Sequence, residues 1–308
     1  MPDALARHSR FKLNKQQHGV AMLLVLMITA VIAVVVTVYQ YKNKTMVQLA
    51  TQAKDHMQAR ARLESVKEQL IFTLSTTTLW LEGPRPELLQ QLKLPADINF
   101  RGKMFNWHDA KITLTDTSGL IAAIPFNDAA WLNLLRHHQV PEPESALAAL
   151  QDWYDKDEFV RLNGAEQRDY VIPGLPRNNL PQQASELAFV KNLGPYWPKL
   201  APYITFLGSS VVNYEFSPDE LLPVLLGNYR AERMLESRNG SAEQEPDLML
   251  ERSEDMNIYP SGRLRITIAV EQGDAAYRQS FLLMRARYAK RITFVAEKQP
   301  GFILTEVN

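Results

Sequence analysis

Gln16-Gln17-His18-Gly19-Val20-Ala21-Met22-Leu23-Leu24 is where a short basic leader ends and an uninterrupted apolar run begins. Upstream lie Arg7, Arg10, Lys12 and Lys15 against one acid, Asp3. Downstream, Val20 to Val38 carries no charge, and its only polar side chains are Thr29 and Thr37. That length matches the roughly 20 apolar residues a helix needs to cross the hydrocarbon core. The cations on the N-terminal side hold that end in the cytoplasm, so the chain after Lys42 is expected across the membrane.

A cleaved secretory signal would have a shorter apolar core ending at a small-x-small site. Val34-Val35-Val36-Thr37-Val38-Tyr39 offers none. A glycine directly before the apolar run, after a polar and basic leader, is similar to a type IV prepilin processing site. There the cut, between Gly19 and Val20 here, precedes the hydrophobic segment and leaves it in the mature protein. A plain uncleaved signal anchor is the competing interpretation of the same residues.

Outward from the anchor the pattern stays helical. Met46, Leu49, Ala53, Met57, Ala61, Val66, Leu70 and Leu74 recur at three- and four-residue steps, with charges between them. No proline occurs from Val20 to Gly83, so one long helix is expected to run out of the membrane onto a globular unit. Thr76-Thr77-Thr78 and Gly83-Pro84 close it.

Lys111 to Asp116 alternates and turns at Thr117-Ser118-Gly119, which spells a strand. Gly262 to Val270, Tyr277 to Tyr288 and Arg291 to Ala296 spell an antiparallel meander with one buried face. Between these sheet segments the signals are helical. Pro143 suits a first helical position ahead of Ser145 to Tyr154. Ser217-Pro218-Asp219-Glu220 has the form of a capping box opening a helix over Leu221 to Met234. Ser237 to Pro246 is a polar loop.

The fold class is therefore α+β. A pilin-like long N-terminal helix packs on an antiparallel sheet, with a large all-helical domain inserted. The expected divisions are a leader (1–19), a transmembrane part (20–42), a periplasmic helix with the first part of the sheet domain (43–125), the helical insertion (126–255) and C-terminal strands (256–308).

The chain is electrically balanced, with 34 basic and 34 acidic residues. Cleavage after Gly19 removes four basic residues and one acidic residue, leaving 30 and 33, a net charge of −3. Such a chain has no general electrostatic reason to bind nucleic acid. Cysteine is absent, so packing, with or without a metal, must stabilise the exported part.

Asp152, Asp155, Asp157, Glu158, Glu166 and Asp169 form the densest carboxylate group. Asp152 and Asp155 share a helix face. Asp157 follows at a loop, and Asn163-Gly164 permits a turn that brings Glu166 back. Hard oxygen ligands from an irregular loop suit calcium, although the spacing is not that of an EF-hand. A solvated acidic surface anchored by Trp153 is the plain alternative. Calcium held by some of Asp152, Asp155, Asp157 and Glu166 is the expectation.

Leu187 to Leu193, Gly194-Pro195 and Trp197 to Ile204 suggest a helix-hairpin-helix. Pro195 lacks an N–H, and Lys191 and Lys199 are the only nearby cations, so packing rather than DNA binding is expected. His137 and His138 are adjacent, cannot chelate as an i, i+4 pair would, and read as polar surface residues. No G-x-S-x-G, P-loop or dinucleotide fingerprint occurs, and no catalysis is expected.

Ala149-Leu150-Gln151-Asp152-Trp153-Tyr154-Asp155-Lys156-Asp157, then Asn163-Gly164-Ala165-Glu166, Tyr170 and Ser185 to Val190, resemble the minor pseudopilin K family of type II secretion systems. Lys111 to Gly119, and Val212-Asn213 with Ser217 to Leu221, resemble further blocks of that family in the same order. The resemblance implies a pseudopilin fold with a helical insertion, no enzymatic activity, and assembly with other minor pseudopilins. It also implies prepilin peptidase as processing partner and an inner-membrane location with the C-terminal domain in the periplasm.

Val20 departs from the phenylalanine that usually follows the cut. In most pilin-like subunits the fifth mature residue is a glutamate that meets a neighbour's amine; here it is Leu24. A subunit without that carboxylate, carrying a bulky insertion, fits the filament tip. The readings it competes with are a signal-anchored periplasmic calcium-binding or interaction module, a type IV pilus minor pilin, and an anchored hydrolase.

Overall fold

The computed structural model describes residues 17–181, 184–238, 259–285, 293–295 and 301–302. Helix α1 (Gln17–Thr76) runs without a break for 60 residues. Its first half exposes every apolar side chain from Val20 to Val38. It is a helix long and apolar enough to cross a membrane, with a most apolar window of mean hydropathy 3.0. The second half is amphipathic: Ala59, Leu63, Val66, Leu70 and Leu74 are buried at steps of three and four.

Threonine hydroxyls crowd the end of α1. Thr73, Thr76 and Thr77 each turn a hydroxyl back onto the carbonyl four residues earlier, at 2.9, 2.8 and 2.7 Å. Thr37, Thr45 and Thr51 make the same bond inside the unbroken helix, so these bonds accompany the end of α1 without by themselves causing it. Two short helices follow, α2 (Leu79–Glu82) and α3 (Pro86–Gln91).

The sheet begins with β1 (Phe105–Trp107) and β2 (Ala110–Asp116). His108 and Asp109 join them in a two-residue turn, both with positive φ. It continues with β5 (Arg263–Gln272) and β6 (Ala275–Met284), turned at Gly273-Asp274. The strand order is β1-β2-β5-β6-β7, all antiparallel, with β7 (Thr293–Val295) and β8 (Gly301–Phe302) both pairing with β6.

Leu264, Ile266, Ile268 and Val270 alternate inward against α1, as the period-two pattern requires. Fully burying each such side chain contributes about 1.5–3 kcal/mol. Gly273 has φ +56, and a Cβ there would stand 2.4 Å from an Asp55 oxygen, so glycine lets the hairpin close beneath α1. The expected α+β class, with a long helix on an antiparallel sheet, is what the structure has.

Between β2 and β5 the chain makes one long excursion with its own core, built around Trp131, Trp153, Leu134, Leu150, Leu187 and Leu200. Its helices are α4 (Asp128–His137), α5 (Pro143–Tyr154), α6 (Trp197–Leu200), α7 (Leu222–Leu226) and α8 (Asn228–Arg238). It is not purely helical: β3 (Ile121–Ala122) and β4 (Ile204–Thr205) form a short parallel pair. The polar loop read at Ser237 to Pro246 begins inside α8, which keeps Ser237 and Arg238 helical; the rest of it, and the strand residues read at 286–288, 291–292 and 296, lie outside the described residues.

Asp116 binds this unit to the sheet. Its buried carboxylate accepts from Ser118 N and Oγ (both 2.8 Å) and from Ser261 N and Oγ (2.7 and 2.6 Å). One side chain thus ties the point where the chain leaves the sheet to the point where it returns. Burial pushes its pKa up while these four bonds pull it down, and burial prevails.

Four local expectations are corrected. Ser217 caps no helix; its hydroxyl donates to Asn213 O at 3.2 Å. The helix read over Leu221 to Met234 is broken at Gly227, φ +78. The helix-hairpin-helix is instead a series of short 3-10 segments around α6. His137 is exposed as expected, whereas His138 is half-buried, stacked on Tyr203 with its Nε2 covered.

Candidate metal centre

Helix α5 ends in acids. Asp152 sits in its last turn, fully buried, and Asp155 caps it. Carboxylates at a helix C-terminus oppose the macrodipole, and burial adds a desolvation cost, so this end needs compensating donors or cations. The loop that follows supplies them. Arg161 N and Ala165 N donate to Asp152 Oδ2 at 3.2 and 2.9 Å. The Arg161 guanidinium donates to Asp152 Oδ1 at 2.6 Å and also to Asp155 Oδ2.

Gly164 makes the close turn possible: a Cβ there would lie 1.9 Å from Asp152 Oδ2. The turn then delivers Glu166, 1% exposed, with neither carboxylate oxygen bonded among the described residues. Oxygens of Asp152, Asp155 and Glu166 come within 4.8 Å of one another. Burial, and then the charges of Asp152 and Asp155, push the Glu166 carboxyl up to about 7. Burial first, with nearby carboxylates contributing, pushes the Tyr170 phenol up to about 12; its ring stands edge-on to Trp153.

The structure therefore brings together three of the four expected ligands. Asp157 stands apart, exposed, its carboxylate accepting from Phe159 N at 2.9 Å in a local turn. Glu158 is held by Asn178, and Asp169 accepts from Glu166 N. Arg161 escaped the sequence reading, although a lone arginine between Asp152 and Glu166 was a visible signal for a counter-ion. A buried, unpartnered carboxylate beside two others is a hard-oxygen donor set, which fits a calcium-like cation. Val20 and Leu24 are exposed on α1, and Gly19 lies in its first turn. The leader up to residue 16 lies outside the described residues.

An exposed apolar helix continuing into an amphipathic stem on an antiparallel sheet is a pilin-like class of fold. Within that class, residues 104–209 match the family described as "Type II secretion system (T2SS), protein K". The chain is 26% identical over 317 residues to the type II secretion system protein K of Klebsiella pneumoniae, covering 89% of this chain and 94% of that one. Its fold is similar to a chain in the crystal structure of the GspK-GspI-GspJ complex from the enterotoxigenic Escherichia coli type 2 secretion system. There the TM-score is 0.54 at 16% identity, over 82% of this chain and 98% of the other. The resemblance to the K family read from the acidic block is borne out in sequence and in fold.

Proposed function

We propose that this chain is the K-type minor pseudopilin at the tip of a type II secretion pseudopilus, anchored in the inner membrane with its folded part in the periplasm. The observation that carries this reading is the two-part α1, exposed and apolar over Val20–Val38 and buried at Ala59 to Leu74 on the sheet. In this reading prepilin peptidase cuts between Gly19 and Val20. Residues 20 to about 42 stay in the lipid, and the chain performs no catalysis. Its partners are other minor pseudopilins, as in the similar GspK-GspI-GspJ assembly. Intact mass with and without the peptidase should differ by the residues through Gly19, and the full chain should co-purify with candidate minor pseudopilins. An unchanged mass would favour a plain anchor.

The acid cluster serves this role as a stabilising calcium site, with Asp152, Asp155 and Glu166 holding the ion. Bound calcium would supply positive charge at the acidic end of α5 and fix the 155–166 loop. Calcium should raise the melting temperature above that in chelator; identical melting in both would remove calcium from the account.

A further inference from the structure

We infer that Arg161 is the resident cation of this cluster and that a divalent ion must displace its guanidinium to bind, so that this one side chain sets the site's affinity. The inference rests on the calcium reading above. Two oxygens matter most. Asp152 Oδ2 is already committed to the N–H groups of Arg161 and Ala165, which leaves Oδ1, and Arg161 Nη1 holds Oδ1 at 2.6 Å. The same Nη1 also holds Asp155 Oδ2. Asp155 keeps its Oδ1 buried and unbonded among the described residues, but an ion drawing on Asp152 meets an oxygen that a positive charge already occupies, and two cations cannot share it at contact distance without strong repulsion.

Arg161 is also the group able to leave. Its side chain is 43% exposed, whereas that of Asp152 is fully buried. A long, flexible side chain on a loop can return its guanidinium to water at little cost. Glu166 gives the ion its advantage over the arginine. Its two buried oxygens have no partner among the described residues, and a divalent ion between the three carboxylates would satisfy what one guanidinium has left unsatisfied.

The test uses the detergent-solubilised full chain, stripped with chelator and titrated with calcium chloride by calorimetry. Arg161→Met should bind calcium on the order of tenfold tighter than wild type, the equivalent of releasing one charge-assisted hydrogen bond. It should melt lower without metal, and gain more in melting temperature from calcium. Arg161→Lys, which keeps the charge, should stay near wild type. Arg177→Met, whose guanidinium pairs with Glu186 elsewhere, should leave the affinity unchanged.

Equal or weaker binding by Arg161→Met would mean that the arginine braces the site, and would overturn the inference while leaving the calcium reading intact. An equal gain in Arg177→Met would reduce the effect to general charge and overturn it too. If neither wild type nor Arg161→Met binds calcium, the calcium reading falls and this one with it. Should Arg161→Met fail to fold, wild-type NMR decides: the Arg161 side-chain N–H signal, assigned by its loss in Arg161→Lys, moves to the solvent-exposed position on adding calcium. A signal that stays in place would refute displacement.

Discussion

Glu166 keeps a buried carboxylate with no hydrogen bond to either oxygen among the described residues, and the consequence is a pH dependence with a definite sign. Its pKa is about 7 in the fold against an ordinary 4.5. Between those values the folded chain keeps a proton that the unfolded chain has lost. The stability is therefore fully present below about 4.5 and disappears as the pH rises through about 7. Metal-free protein should melt lower at pH 8 than at pH 5, and Glu166→Gln should flatten that slope. Asp116, also raised by burial, pulls in the same direction, so the difference between variant and wild type is the quantity to read. With saturating calcium the slope should reverse, because the ion needs the ionised carboxylate. Gly164→Ala drives a Cβ into Asp152 Oδ2 and should cost about 1–3 kcal/mol with loss of the calcium response. Unchanged melting would show that the loop yields. Much of this site was legible in sequence. The three-residue step from Asp152 to Asp155 and the turn at Asn163-Gly164 pointed to it. What the spacing could not reveal was that Asp157 would be spent on its own turn, or that Arg161 would fold back between the aspartates. Both depend on the path of an irregular loop, which no periodicity encodes.

At the scale of elements, α1 presents two faces, and they should respond oppositely to substitution. Leu70 is buried on the sheet, so Leu70→Ala should destabilise the folded part by about 2–5 kcal/mol. Phe72 is 67% exposed on the other face. Phe72→Ala should leave the melting temperature within about 1 °C, since surface changes stay near ±0.5 kcal/mol. It should nevertheless weaken co-purification with partner pseudopilins. Full retention of partners would place the contact face elsewhere on the helix. The strongly periodic elements, α1 and the strands β2, β5 and β6, were readable because burial on one face imposes a repeat on the sequence. The short elements were not. His108-Asp109 turns β1 into β2 without the glycine that usually marks such a hairpin. Ser217 to Glu220 spells a capping box, yet tertiary contacts draw the Ser217 hydroxyl to Asn213 and Gly227 cuts the helix short. Local signals of a few tenths to one kcal/mol give way when burial of Leu221 and Leu222 sets the backbone path.

For the whole molecule the question is where one subunit fits in a filament of similar subunits. Cleavage after Gly19 would leave a free amine on Val20 at the edge of the apolar phase. An unpaired charge there costs on the order of several kcal/mol, so a subunit packed inside a shaft must find a carboxylate on its neighbour. This chain offers none from its own anchor: Leu24 stands at the fifth position after the cut, and the first acid after Val20 is Asp55. A subunit that cannot neutralise the amine of the next belongs where no subunit follows. The excursion between β2 and β5 points the same way. Arg265 donates from the outer face of the sheet to Pro202 O and Ile204 O at 3.1 and 2.6 Å, and Asp116 fastens both ends of the excursion. The helical unit is thus fixed to the sheet rather than free to swing aside, and its bulk would obstruct a tightly wound shaft but not a free end. Gold labelling of assembled filaments should therefore find this chain at one end, in one copy. Label repeated along the length would refute the tip position, while leaving the anchor, the sheet and the acid cluster as described.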